Sequence, residues 1–304
     1  MFIQKEGVQV QFELVEEDNI NVSKQTYYYD YEEYEDDKGP ATMIEEILAH
    51  DAFPKLDELV IGNWGAWDGS CQPIIDGIIE NKEKFSHIQK VFIGNMDYEA
   101  CEVSWILQGN YSKLWAAMPQ LRELTIKGSN ELVLGEICHE ELEALTIICG
   151  GLPVSVIQSI QNAKLPKLKK LLLFIGVENY GFDGNENTIK ELLAHAQFPE
   201  LTELGITDSE IQDELTEVVL DSKFMEQITT LDLSNGTLTD KGGALLLEKI
   251  PQYPNIRKLD IHHNYLSVNM AKKLEALPIE VDASEIEQSW AHGGRIYMNA
   301  LLTE

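Results

Sequence analysis

Two aspartates and two histidines near the C-terminal end of the sequence are the residues best suited to chemistry. Asp232 and Asp260 each follow a leucine, in Leu231-Asp232-Leu233 and Leu259-Asp260-Ile261, and His262-His263 closes the second phrase. Carboxylate and imidazole are ligand types for a divalent cation, and two carboxylates on neighbouring strands can perturb each other's protonation enough for acid-base work. Such a centre also needs exclusion of water and supporting contacts behind each ligand, and a broad open surface supplies little of either. The strand alternation also sends His263 away from the side taken by His262. The four cysteines, Cys71, Cys101, Cys138 and Cys149, lack the paired spacings of a zinc or redox site and are expected as buried thiols in a reducing compartment. Gly150-Gly151 is too short for a phosphate loop, which needs a longer glycine pattern with Lys and Ser or Thr. The sequence therefore assigns no catalytic residue, no cofactor and no metal, and it points to binding by a non-enzymatic protein.

The elements that position these residues are written in a repeat. A phrase L-x-x-L-x-L begins at Leu56, Ile88, Leu121, Leu142, Leu168, Leu201, Ile228 and Ile256, with spacings of 32, 33, 21, 26, 33, 27 and 28 residues. Repeats of this length and pattern mark a leucine-rich-repeat solenoid, in which a strand and a helix bury their apolar sides only against neighbouring units. The expected fold is α/β, a right-handed horseshoe or arc with a parallel concave sheet. A ninth, degenerate strand is expected with Ala276, Ile279 and Val281 at the three apolar positions. Residues 1–304 are expected to form a single domain: an N-terminal cap over 1–52, eight to nine repeats over 53–282, and a C-terminal cap over 283–304. That last cap carries Trp290, a Gly293-Gly294 break and the mostly apolar run from Ile296 to Leu302.

Proline marks the unit boundaries. Phe53-Pro54, Met118-Pro119, Leu165-Pro166, Phe198-Pro199 and Tyr253-Pro254 each stand two residues before a phrase, where proline ends a helix and favours extended backbone in the residue before it. Between phrases, Ile74-Ile75-Ile78-Ile79, Val154-Ile157-Ile160, Ile189-Leu192-Leu193, Leu215-Val218-Val219 and Leu245-Leu246 follow helical spacing. The interval from Leu121 to Leu142 is too short for a full helix, and Leu132 to Ile137 reads as extended. Pro40 and Thr42 open a helix over Met43 to His50. Ahead of it, Gln9 to Leu14 and Ile20 to Tyr31 read as a hairpin. Tyr27 to Asp37 holds five tyrosines and six carboxylates, which suit either a bait for basic partners or an edge whose charge discourages strand pairing between molecules.

The apolar positions of each phrase point into the core, so the intervening third, fifth and seventh places face the concave side. The fifth places give Val60, Phe92, Thr125, Thr146, Leu172, Gly205, Asp232, Asp260 and Glu280. The seventh give Gly62, Gly94, Lys127, Ile148, Phe174, Thr207, Ser234, His262 and Asp282. Phe92, Ile148, Leu172 and Phe174 make an apolar middle, and Asp232, Asp260, Glu280 and Asp282 make an acidic end around His262. This face suits a partner segment that is apolar at one end and basic at the other. Trp64, Trp67, Trp105 and Tyr180 fall in or near the loops, either as a rim that grips a partner or as seals between repeats, the latter for Trp105 at the opening of an apolar helix.

Composition narrows the partners. With 52 acidic and 23 basic side chains the net charge is -29, a field that repels phosphate backbones and draws basic segments. Nucleic acid is not an expected partner. No leader-like or membrane-spanning run stands in the sequence, so a cytoplasmic protein without membrane association is expected.

The residues Gly62-Asn63-Trp64-Gly65, Cys101 to Ile106, Gly150-Gly151-Leu152-Pro153, Asn179-Tyr180-Gly181, Asp208-Ser209-Glu210-Ile211, Leu231 to Gly242 (LDLSNGTLTDKG) and Leu259 to Ser267 (LDIHHNYLS) carry a family resemblance. The chain resembles the ribonuclease-inhibitor type of leucine-rich-repeat protein and, within it, a family of bacterial cytoplasmic repeat proteins. The resemblance implies a parallel-stranded arc and a role in protein interaction. It also implies genes placed near radical and ATP-grasp enzymes, and so, as an alternative, a structural or regulatory accessory subunit of an enzyme assembly. It carries over no catalytic residue.

Overall fold

The computed structural model describes residues 9–11, 23–29, 38–65 and 69–303. Most of the tyrosine- and acid-rich segment, the ends of the expected hairpin and Trp67 lie outside the described residues. The strands are β1 (Gln9–Gln11), β2 (Lys24–Tyr28), β3 (Glu58–Ile61), β4 (Lys90–Ile93), β5 (Glu123–Lys127), β6 (Ala144–Ile148) and β7 (Lys170–Gly176). They continue as β8 (Glu203–Ser209), β9 (Thr230–Asp232), β10 (Lys258–Asp260), β11 (Glu280–Asp282), β12 (Trp290–His292) and β13 (Arg295–Tyr297). Between them stand α1 (Pro40–Ala49), α2 (Gln72–Glu80), α3 (Leu114–Ala117), α4 (Val154–Gln161), α5 (Glu186–His195), α6 (Gln212–Leu220), α7 (Asp240–Lys249) and α8 (Val268–Glu275).

The strands from β1 to β11 form one sheet in chain order. The β1 strand runs antiparallel to β2, and β2 to β11 are ten parallel strands. Every expected repeat strand forms, because each phrase alternates with a period of two: β5 and β6 are buried at every second residue. Parallel neighbours need a crossover, which the helices supply, and successive helices pack on each other as α1 on α2 and α4 through α8 in series. One continuous core runs between sheet and helices, from Tyr27 to Ala283.

Local chemistry sets the ends of the elements. Pro40 and Pro73 occupy the first turns of α1 and α2, where a missing N–H costs nothing. Asn185 caps α5 in a capping box with Thr188, and Thr239 and Ser267 cap α7 and α8. No helix stands between β5 and β6, as the short interval predicts; there Asn130 and Val133 make isolated parallel bridges to Leu107 and Asn110. The residue just before several phrases ties adjacent units together. Gln120 Nε2 donates to the carbonyls of Phe85 and Ile88, Gln227 Nε2 to those of Phe198 and Leu201, and Asn255 Nδ2 to those of Met225 and Ile228.

The C-terminal segment differs from a simple end cap. The β12 and β13 strands pair as a hairpin apart from the main sheet, turning at Gly293 and Gly294, both at positive φ. Residues 299–303 then run back past the C-terminal ends of the parallel strands: Leu301 N–H donates to Asn235 O, Leu302 N–H to Asp208 Oδ1, and Thr303 O lies against Gly150. Among the described residues no helix is long and apolar enough to cross a membrane.

Candidate functional site

The face of the sheet opposite the helices carries the third, fifth and seventh places of the phrases. From β3 to β10 the fifth places stand in register as the repeat predicts, Val60 beside Phe92, then Thr125, Thr146, Leu172, Gly205, Asp232 and Asp260. The column ends differently. Asp282 is the register partner of Asp260, and Glu280 is the partner of Lys258, one place lower. Counting from Ala276 therefore sets the degenerate strand two residues out, and Ala283 takes the buried third apolar place expected of Val281. A slip of two keeps every side chain on its own face, so the alternation alone does not reveal it. The residue closing each strand does, because Asp208, Asn235, His263 and Glu285 all have φ between 49° and 65° at the same place of successive units.

The apolar half is smaller than the column suggested. Leu172 and Phe174 on β7 and Ile148 at the end of β6 are half-buried neighbours. Phe92 is also half-buried, but Thr125 and Thr146 stand between it and Leu172, about 14 Å across three strand spacings. Gly205 lets Leu172 lie over the next strand, since a Cβ there would come 2.2 Å from Leu172 Cδ1. Beyond it opens a hollow of about 340 Å³ lined by Lys170, Leu172, Glu203, Gly205, Thr230, Asp232, Lys258 and Asp260.

Charged third places along the face are matched: Lys90 pairs with Glu123 at 2.8 Å, Lys170 with Glu203 at 3.9 Å and Lys258 with Glu280 at 3.3 Å. The fifth places are not, for Asp232, Asp260 and Asp282 stand on successive strands. One oxygen of each is held by the residue two further on. Ser234 N–H and Oγ donate to Asp232 Oδ1, Ser284 N–H and Oγ to Asp282 Oδ1, and His262 Nδ1 lies 2.5 Å from Asp260 Oδ1. The second oxygen of each has no hydrogen-bond partner among the described residues. Burial raises the Asp232 carboxyl above its usual range, against the serine's hydrogen bonds, whereas those of Ser284 hold Asp282 below it.

His263 does not point away from His262. The rings stand 5.2 Å apart, edge to face, because His263 is left-handed and leaves the strand alternation. Its Nδ1 lies 2.9 Å from Glu287 Oε1, which takes it out of the ligand set imagined from sequence. The ligand atoms of Asp260, His262 and Asp282 fall within 4.8 Å of one another, so Asp282 replaces both Asp232 and His263 there.

Other expectations meet mixed outcomes. Thr207 and Ser234, seventh places expected to face outward, are buried. Trp64 is fully buried with its Nε1–H on Gly69 O, a seal; Trp105 stands in a short 3₁₀ turn and is 61% exposed, so it opens no helix and seals nothing. Three cysteines are buried and Cys138 is exposed. Gly150-Gly151 finds a structural use, since side chains there would strike Thr303 O and the backbone of Tyr180.

The chain is similar to a Bacteroides fragilis protein whose crystal structure was determined as a structural-genomics target, with 40% identity and a TM-score of 0.81 over 86% of this chain and 74% of the other. No protein-family model and no curated protein matches the chain.

Proposed function

We propose that this chain, which belongs to the same family as the Bacteroides fragilis protein, is a non-enzymatic protein-interaction module of the leucine-rich-repeat solenoid type. Its sheet face receives a partner segment that is basic at one end and apolar at the other. The observation that supports this most is the line of Asp232, Asp260 and Asp282, each with one oxygen tied and one unpartnered, beside the hollow floored by Leu172 and Gly205. A guanidinium or ammonium group meets carboxylates already held in place, so little ordering entropy opposes binding. The neighbouring apolar side chains add contact that salt does not screen. The strands in chain order and the phrase-by-phrase alternation support the solenoid reading.

Titration with a synthetic peptide of two arginines followed by three leucines, at low and high salt, tests this. Binding that weakens with salt, weakens with Asp260→Asn and weakens with Leu172→Thr is expected. Affinity indifferent to all three overturns the open-face reading and favours an accessory subunit that uses its helices or ends. A divalent-cation site is a second reading, favoured by the approach of Asp260, His262 and Asp282. Manganese or zinc titration of the untagged chain, with Asp282→Asn as control, decides it: loss of stoichiometric binding in the variant supports the site, and no stoichiometric binding removes it.

A further inference from the structure

Residues 299–303 are held largely by main-chain groups. Asn299 N–H donates to Tyr265 Oη at 3.0 Å, and that hydroxyl donates to the Asn299 carbonyl at 3.1 Å. Leu301 N–H donates to Asn235 O at 2.8 Å and Leu302 N–H to Asp208 Oδ1 at 2.8 Å. Thr303 O rests against Gly150, where a Cβ would come within 2.6 Å of it. Ala300 is buried, but Leu301 is 51% exposed. A segment with few buried apolar contacts opens at small cost compared with the core.

Asp208 is the one carboxyl in this set of contacts. It is fully buried, its Oδ2 has no hydrogen-bond partner, and its backbone is left-handed at φ 56°. Burial pushes the carboxyl up to about 8, against the lowering effect of the Leu302 and Leu301 amides. The titratable group that faces it is the Cys149 thiol beyond β6, itself pushed up to about 12 by burial and so neutral. From the loop that follows β9 the Ser234 carbonyl accepts from the Asp208 N–H, and residues 301 and 302 offer amides. Among the described residues no cation pairs with this carboxyl.

We propose that residues 299–303 are a releasable strap governed by the proton on Asp208: the strap lies down over the neutral carboxyl and lifts when the carboxylate forms and takes up water. This stands independently of the open-face reading. With the strap down the carboxyl keeps its proton to about pH 8, whereas a carboxyl open to water loses it near its usual 3.8. The state with the higher affinity for the proton is favoured at low pH, so rising pH favours the lifted strap. Coupling to one proton weakens docking about tenfold per pH unit between those limits and leaves it flat above about pH 8.

Amide hydrogen exchange of the full chain, corrected for intrinsic rates, tests the strap between pH 5.5 and 8. Protection of Leu301 and Leu302 is expected to fall about tenfold per pH unit in the native chain, and to stay level in Asp208→Asn. A level native profile, or the same slope in the variant, overturns the proposal. Leu302→Pro removes the donating N–H without touching Asp208, and the carboxyl carbon shift of Asp208 then reports on burial. Titration displaced downward by at least one pH unit supports strap control, and an unchanged midpoint refutes it even if Asp208→Asn does not fold.

Discussion

Asp282 stands beside Asp260 in the parallel register of β10 and β11, while Glu280 faces Lys258 and pairs with it at 3.3 Å. The two acids of one short strand therefore have opposite surroundings. Glu280 repeats the matched pairs Lys90–Glu123 and Lys170–Glu203, and that partner holds Lys258 above its usual range. Asp282 adds an unmatched carboxylate to those of Asp232 and Asp260.

Asp282→Asn is thus expected to weaken the arginine-leucine peptide by about threefold to tenfold, the size of one lost charged hydrogen bond at a partly exposed position. Glu280→Gln is expected to leave affinity within about twofold, because its charge is already matched. Isothermal titration of both variants decides between them. A larger loss in Glu280→Gln would return the acidic centre to the place that counting from Ala276 assigned.

The contrast shows what the sequence makes legible. Period-two alternation and the proline boundaries placed nine strands and most helices, because both are local properties of the chain. Register at the degenerate strand depends on packing against β10 and on the left-handed residue that closes it, neither of which a tolerant apolar pattern encodes. His263 moved for the same reason: one positive φ reverses the direction that alternation assigns. The acidic end of the face was visible, with Asp260, His262 and Asp282 all placed in it, but that Asp282 rather than Asp232 or His263 closes on Asp260 and His262 was not, because it follows from the register of the last strand. The tail contacts were invisible, since Leu302 reaches Asp208 across 94 residues through a main-chain N–H that carries no side-chain signature.

Asp208 also gives a stability prediction. Its folded-state carboxyl titrates at about 8 against 3.8 for the ordinary group, so its contribution is complete below about pH 4 and is lost as pH rises toward 8. Asp208→Asn keeps a neutral group of the same shape and lacks that loss. The variant should match the native chain near pH 4 and exceed it by on the order of a few kcal/mol at pH 8, with strap release limiting the difference. Urea unfolding of both chains across this range measures it, and a gap that does not grow with pH would show the carboxyl to be ordinary.

Trp64 and Trp105 separate core from surface within the early units. Trp64 is fully buried with its indole N–H bonded to Gly69 O, so Trp64→Ala leaves a cavity and an orphaned carbonyl and should cost about 3–5 kcal/mol. Trp105 is 61% exposed, and its alanine variant should change stability by less than about 0.5 kcal/mol. Equal losses in denaturant midpoints would mean that Trp105 is covered in solution.

Gly150 and Gly176 lie side by side, yet alanine should act differently at each. At Gly176 a Cβ would come 1.9 Å from the Gly150 carbonyl, and φ is +70°, so clash and backbone strain fall together on β7 within the sheet. Gly176→Ala should lower stability by at least about 2 kcal/mol. At Gly150 the closest atom is Thr303 O at 2.6 Å, on a segment that can move aside. Gly150→Ala should therefore leave global unfolding nearly unchanged while the Leu301 and Leu302 amides lose protection. Hydrogen exchange resolves both effects in one experiment. Global destabilisation by Gly150→Ala, comparable to that of Gly176→Ala, would mean that the tail is built into the sheet as firmly as the strands themselves.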